Sequence, residues 1–329
     1  MSEQSFEKIN YALRPAKCIE RRMMTEALSR LGLVAPLSSY RYVGFGSVDF
    51  VDFRLVHIRL GVRDMVSIEA AESVSERFRF NRPFSCIELQ FGVSGDVLPT
   101  LSWAQRTITW LDYDGKLTRA ELDDVGTVVS AAPPGSALIV TVNCQPEKIP
   151  DDAPATAPDI HTYRYAELAA RVGRELVPGH IEPKDLRNWG LADACWEIIE
   201  SRIAESLANR NAALTDLDKI GYDQLFHFRY ADGARMLTIG GVLLSAAERK
   251  TLDPREDFAD LDYIRAGKEA FTIDVPVLTL REMRLLDQTL PSLNEGRGTQ
   301  DWPFLPPSHV EFYRKVYRYF PTFLEVEAR

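Results

Sequence analysis

The chain lacks most of what would tie a fold together by covalent or metal chemistry. Its four cysteines, Cys18, Cys86, Cys144 and Cys195, lie far apart with no C-x-x-C pair, which argues against a zinc knuckle and gives no disulfide framework. A reducing, cytoplasmic setting is the expectation. None of the five histidines has metal-ligand spacing, so no metal is expected. No apolar run has the length that spans a bilayer, and Met1-Ser2-Glu3-Gln4-Ser5 has no basic segment leading into an apolar one. Positive charge is also in deficit: 39 Lys and Arg against 48 Asp and Glu give a net charge of −9, which disfavours duplex DNA as a partner. There is no internal repeat. What remains, with 45% hydrophobic and 26% charged residues in 329, is an ordinary globular protein of one large domain with an appendage, or of two domains.

The most informative stretch runs from Tyr40 to Glu69. An apolar β-prone run leads into Gly44-Phe45-Gly46-Ser47, an amphipathic helical pattern starts near Val48, and Met65-Val66-Ser67-Ile68-Glu69 reads as a second strand ending in an acid. This is the pattern of a mononucleotide-binding βαβ half. The two glycines are expected to turn the backbone tightly and admit a ligand closely, the helix N-terminus to face it, and Glu69 to accept hydrogen bonds from ribose hydroxyls. A dinucleotide fingerprint would need a third glycine where Asp49 stands.

Further strands are expected near 85–90, 107–112 and 136–143, with helices near 71–81 and 117–131 between them. Apolar strands separated by helical patterns predict a doubly wound α/β sheet buried on both faces. An antiparallel hairpin is expected at 222–244 around Ala231-Asp232-Gly233-Ala234, with neither arm parallel to the core strands. Residues 1–35 read as an N-terminal helical segment, 36–245 as the main domain with a helical insertion at about 160–211, and 246–329 as a small C-terminal subdomain. The segment 146–158 reads as a surface loop, 294–298 as glycine-rich. Lys17, Arg21 and Arg22 on the first helix either face a ligand or form a solvated face. Tyr313, Tyr317 and Tyr319 beside Arg314 and Arg318 read as an aromatic helix that docks on the core, with a stacking surface as the second reading.

Five parallel strands, a hairpin, and acids after strands two, three and four resemble a class I S-adenosylmethionine-dependent methyltransferase over residues 36–245. Gly95-Asp96-Val97-Leu98-Pro99-Thr100-Leu101 is similar to small-molecule O-methyltransferases. Arg14-Pro15-Ala16-Lys17 and Tyr317-Arg318-Tyr319-Phe320-Pro321 resemble the two ends of a group of bacterial O-methyltransferase-like proteins. The resemblance implies S-adenosylmethionine as cofactor: Gly44, Gly46 and Ser47 along its methionine part, Glu69 on the ribose, Asp96 on the adenine amino group. It also implies Asp112 and Tyr113 facing the transferred methyl, with Asp112 or Lys17 handling the proton or orienting the acceptor. Tyr42 stands where the family pattern has an acid, and Leu111-Asp112-Tyr113-Asp114 lacks the prolines of base amino-methyltransferases. The expected acceptor is therefore a hydroxyl on a small or nucleotide-like molecule. Asp112 and Asp114 also read as ordinary caps of a strand-to-helix turn, with a catalytic or metal role for either as the other reading. Two other functions stay open: a non-catalytic cofactor-binding or scaffold subunit working through a protein partner at its C-terminal aromatic segment, and an NAD-dependent oxidoreductase.

Overall fold

The five strand-like apolar runs between residues 40 and 143 become strands of one sheet. The computed structural model describes residues 14–151, 158–291 and 302–321. Five parallel strands come first: β1 (Arg41–Gly44), β2 (Asp64–Glu69), β3 (Ile87–Phe91), β4 (Thr107–Asp112) and β5 (Ala137–Asn143). The long hairpin of β6 (Ile220–Ala231) and β7 (Arg235–Ser245) follows, and β8 (Phe271–Ile273) completes the order β3-β2-β1-β4-β5-β7-β6-β8. β7 is antiparallel to both β5 and β6, so β6 runs in the direction of the parallel strands, and β8 pairs with it in parallel. The expectation that neither arm would be parallel is corrected here. A hairpin laid on a sheet edge must present one arm in each sense. The three-residue β8 is too short to leave a periodic signal, and it attaches residues after 246 to the same sheet.

The helices are α1 (Pro15–Ser29), α2 (Val51–Leu60), α3 (Ser75–Asn81), α4 (Ser94–Val97), α5 (Arg119–Ala131), α6 (Ile160–Val172), α7 (Gly190–Asn211), α8 (Leu280–Asp287) and α9 (Pro307–Val316). α1 starts with Pro15 in its first turn, where a missing N–H costs nothing. Its own preceding residue supplies no side-chain cap; instead Asp232 in the hairpin turn accepts from the Lys17 N–H at 3.0 Å. A tertiary contact thus does what a local Ser or Asp normally does. The expected residues 152–157 of the surface loop and the glycine-rich 294–298 lie outside the described residues. Among the described residues no helix is long and apolar enough to cross a membrane.

Strand alternation divides the core between two faces. Tyr42, Met65, Ile108 and Trp110 point to the side covered by α1 and α2, with Ile19, Met23, Phe50 and Phe53. Val43, Val66, Leu111 and Val140 point to the side covered by α5 and α7, with Val125 and Ile199. This parity decides which site residues can meet. Asp112 follows Trp110 onto the α1 side, while Tyr113 goes to the α5 side. The aromatic C-terminal helix docks as expected: Tyr313, Val316 and Tyr319 are buried, and Arg22 of α1 donates to the Phe320 carbonyl at 2.6 Å.

Candidate functional site

The crevice lies where the strand order reverses. β1 pairs with β2 on one side and β4 on the other, so Gly44, Glu69 and Asp112 end neighbouring strands at one edge of the sheet. A cleft of about 50 Å³ opens there, walled by Phe45, Gly46, Ser47, Asp52, Asp112 and Asp114. The turn after β1 differs from expectation in an instructive way. The left-handed backbone falls on Ser47 (φ 52°) and Phe50 (φ 49°), and neither Gly44 nor Gly46 has a positive φ. The glycines are required for space. A Cβ on Gly46 would stand 2.5 Å from Ser67 Oγ and 2.6 Å from the Phe50 ring, and one on Gly44 would stand 3.1 Å from the Trp110 carbonyl oxygen. α2 begins at Val51, three residues later than the pattern suggested, because the chain first winds through this turn.

Glu69 is 5% exposed. Its Oε1 accepts from the Gly46 N–H at 3.0 Å and from the Ser67 hydroxyl at 2.6 Å, which ties the end of β2 to the turn after β1. Burial pushes its pKa up to about 7, against the lowering effect of these two donors. Ser67 was missed in the sequence. It stands two residues before Glu69, and on a strand that spacing puts both side chains on one face.

Behind the cleft is a buried charge cluster built from α1 and β4. Lys17 Nζ is 2.7 Å from Asp112 Oδ1 and 2.9 Å from Glu20 Oε2, with Lys17 and Glu20 essentially without solvent contact. The ammonium also lies over the Trp110 ring, 4.6 Å from its centroid. Burial opposes the lysine charge, but the carboxylates of Asp112 and Glu20 outweigh it and raise the Lys17 pKa above that of free lysine. Burial likewise opposes ionisation of Asp112, and Lys17 overcomes it, so the Asp112 pKa is lowered. Glu20 is the reverse: burial dominates and its pKa is raised despite Lys17. Although 2.9 Å from the ammonium, neither Glu20 oxygen has a well-directed hydrogen bond. We read this contact as an ion pair alone. One turn on, Arg21 pairs with Asp52 through Nε–Oδ1 at 2.5 Å and Nη2–Oδ2 at 3.2 Å. The solvated-face reading of Lys17 and Arg21 is therefore corrected: both are buried and paired. The i, i+3, i+4 spacing of Lys17, Glu20 and Arg21 was the available signal for Glu20.

Tyr113 does not join this cluster. On the other face of the sheet, its hydroxyl donates to Asp124 Oδ2 at 2.6 Å, which also accepts from Ser94 Oγ at 2.5 Å, and its ring packs on Phe45 at 5.2 Å. Burial and then Asp124 raise its pKa above that of free tyrosine. Its ring backs Phe45, which walls the cleft, and Tyr113 itself is not among the residues that line it. Asp96 is exposed on the single turn α4 and is not among the residues that wall the cleft. Tyr42, where an acid was expected, is core: it lies edge-on to Phe53 at 4.9 Å.

This strand order, with an antiparallel seventh strand after five parallel ones, defines a Rossmann-like sheet of the methyltransferase kind. The family described as "Putative O-methyltransferase" matches residues 9–328, and the chain belongs to it. No curated protein sequence matches significantly. Among solved structures, the O-methyltransferase from Bacillus cereus in complex with SAH aligns at 14% identity over 67% of this chain and 80% of that one, TM-score 0.36. The O-methyltransferase TomG from Streptomyces achromogenes, in complex with SAM, aligns at 17% identity over 71% and 91%, TM-score 0.35. A mutant of MtNAS aligns at 10% identity with TM-score 0.24 over 31% of this chain and only 37% of its own length. Likeness at this level carries no argument about chemistry.

Proposed function

We propose that the protein is an S-adenosylmethionine-dependent methyltransferase acting on a hydroxyl of a small or nucleotide-like acceptor. The observation that carries this reading is Glu69: a buried carboxylate at the end of β2 that does not itself wall the cleft but is bound through Oε1 to the N–H of Gly46, which does, in a cleft that ends at Asp112. The residues present fit the cofactor. Glu69 keeps Oε2 for ribose hydroxyls, and the absence of a side chain at Gly46 keeps the turn tight against β2. When bound, the cofactor supplies a methyl group already activated by a sulfonium. This chain's part is alignment and the fate of the hydroxyl proton.

Asp112, ionised and held by Lys17, is the acceptor for the hydroxyl hydrogen. Lys17 is no base: its charge is fixed by two carboxylates, and its role is to position Asp112. Tyr113 supports Phe45, which walls the cleft, from behind. Asp96 remains the proposed partner of the adenine amino group, approached from solvent.

Titration calorimetry with S-adenosylmethionine tests this. Glu69→Ala is expected to weaken binding by about 1–3 kcal/mol, roughly 5- to 150-fold, the cost of losing one side of a buried hydrogen bond. Asp96→Ala, at an exposed carboxylate, is expected at the low end, about 1 kcal/mol. Unchanged affinity in both folded variants sinks the site. The pH dependence gives a second reading. Because ribose hydroxyls bind the ionised form best, affinity should rise as pH passes from 5.5 to 8 and flatten above about 7. Below pH 7 the slope reaches at most about tenfold per unit. The stability of the free protein has the opposite sign. A raised carboxyl pKa contributes stability that is fully present below the ordinary glutamate value and lost as pH rises through about 7. Glu69→Gln should therefore flatten both profiles, and a wild-type affinity independent of pH would count against the ribose role.

A further inference from the structure

The molecule has a second cavity, larger than the cleft and adjacent to it. A groove of about 440 Å³ runs between α1 and α2, and two of its wall residues, Arg21 and Val51, also wall the cleft beside Asp112. The rest of its lining includes Arg22, Arg54, Arg59, Leu55 and Ile58, and no acid. Residues 51, 54, 55, 58 and 59 fall on one face of α2, so the groove is one helix face opposed to another.

The charges in this groove are unequal. Arg21 is neutralised by Asp52. Arg22 is held by the Tyr319 and Phe320 carbonyls, neutral partners that fix the guanidinium and leave its charge intact. Arg54 stands over the Phe84 ring at 6.0 Å, again without a counter-charge. Among the described residues no carboxylate pairs with Arg22, Arg54 or Arg59. Arg59 lies in the last turn of α2, where a cation complements the carbonyl end of the helix; Arg54, near the middle, has no such reason. Among the described residues this makes three guanidinium groups without a paired carboxylate in one concavity, Arg54 and Arg59 of them exposed, in a chain of net charge −9. The wall between them is apolar, with Ile58 66% exposed.

We infer that this groove holds the acceptor through an oxyanion: the substrate is a small molecule bearing a phosphate or carboxylate group as well as the hydroxyl. The inference rests on the proposed methyltransferase reading and specifies the substrate class of that site. Guanidinium forks match the oxygens of phosphate and carboxylate in pairs, while Leu55 and Ile58 offer a surface for the carbon skeleton. Because Arg21 and Val51 wall both cavities, a molecule anchored in the groove lies next to the cleft and needs to reach only past that shared wall to place its hydroxyl beside Asp112. The overall negative charge still repels long polyanions, so a compact anion fits and a duplex does not.

Calorimetric titration of the full chain at low salt, with pyrophosphate in one arm and citrate in the other, tests the groove and distinguishes phosphate from carboxylate. Saturable binding of at least one is expected, weakened about tenfold in Arg54→Gln/Arg59→Gln, as for two lost charge-assisted contacts. It should be unchanged in Arg119→Gln, which removes an exposed arginine elsewhere on the surface. Absence of saturable binding, or equal loss in the control, overturns the groove. Transfer of labelled methyl from S-adenosylmethionine into a cell extract tests the acceptor: label should enter small molecules retained on an anion exchanger, and label confined to the unretained fraction overturns the substrate class. Titration with S-adenosylhomocysteine runs in parallel. If it fails to bind while the anions still do, the methyltransferase reading falls and the anion groove stands.

Discussion

Replacing Lys17 by methionine (K17M) is expected to cost the fold about 3–5 kcal/mol at pH 8, the largest stability effect of any single change at the site. The side chain is 1% exposed and stands between Asp112 at 2.7 Å and Glu20 at 2.9 Å. Removing the ammonium leaves two carboxylates, Glu20 fully buried and Asp112 only 17% exposed at the cleft, with nothing of opposite sign between them. The pH dependence should invert as well. In the wild type Asp112 has a lowered pKa, so its stabilisation is present above the unfolded carboxyl value and is lost as pH falls through the folded one. Without Lys17, burial is the dominant influence on Asp112 as it already is on Glu20, whose stabilising contribution is lost as pH rises. The variant should therefore recover stability on acidification to about pH 5, where the wild type gains none from Asp112. Neutralising the acids too, in Lys17→Met/Glu20→Gln/Asp112→Asn, should return most of the loss, because a cluster replaced as a whole leaves no unpaired charge. Urea unfolding at pH 5 and pH 8 reads all of this. A K17M stability within about 1 kcal/mol of wild type at pH 8 would show the cluster to be open to water or otherwise compensated.

The sequence made the sheet legible because its signals are local. A strand buried on both faces must be apolar along its length, and Ser136 to Asn143 or Thr107 to Leu111 can hardly be anything else. The first βαβ half was readable for the same reason: Gly44, Gly46 and Glu69 stand at neighbouring ends because one short helix links two strands. What sequence could not show is which residues a long-range contact brings together. Lys17 and Asp112 are 95 residues apart, and their pairing follows from where α1 lies on the sheet. Tyr113 was placed with Asp112 because it is adjacent in sequence, yet adjacency on a strand is what separates them, by sending each to a different face. The expectation that the glycines supply the turn's unusual backbone angles failed for a related reason, since those angles fall on Ser47 and Phe50. Close packing of Gly46 against Ser67 and Phe50 comes from a neighbouring strand and a later turn, and no pattern within residues 44–47 records it.

The second large effect is expected on rate. Asp112→Asn should lower kcat by about 100-fold while changing the affinity for S-adenosylmethionine less than threefold. A positioned general base is worth about 10²–10⁴ in rate, and Asp112 belongs at the lower end because Lys17 depresses its pKa and so weakens it as a base. The asparagine keeps the shape and one acceptor oxygen but cannot take the proton. Its amide also donates, which sets it against the ammonium and offers the acceptor hydroxyl the wrong partner. Affinity for the cofactor should persist because Glu69, Gly46 and Ser67 are left intact. Stability is the quantity that separates this from mere disruption, since Lys17 retains Glu20 as counter-ion at 2.9 Å and the fold should survive. In the wild type the lowered Asp112 pKa also predicts that the pH profile of kcat is flat from about pH 6 upward. The profile of cofactor affinity, in contrast, should bend near 7 with Glu69. A folded Asp112→Asn variant with wild-type kcat would remove Asp112 from proton handling and leave it as the partner of Lys17 alone.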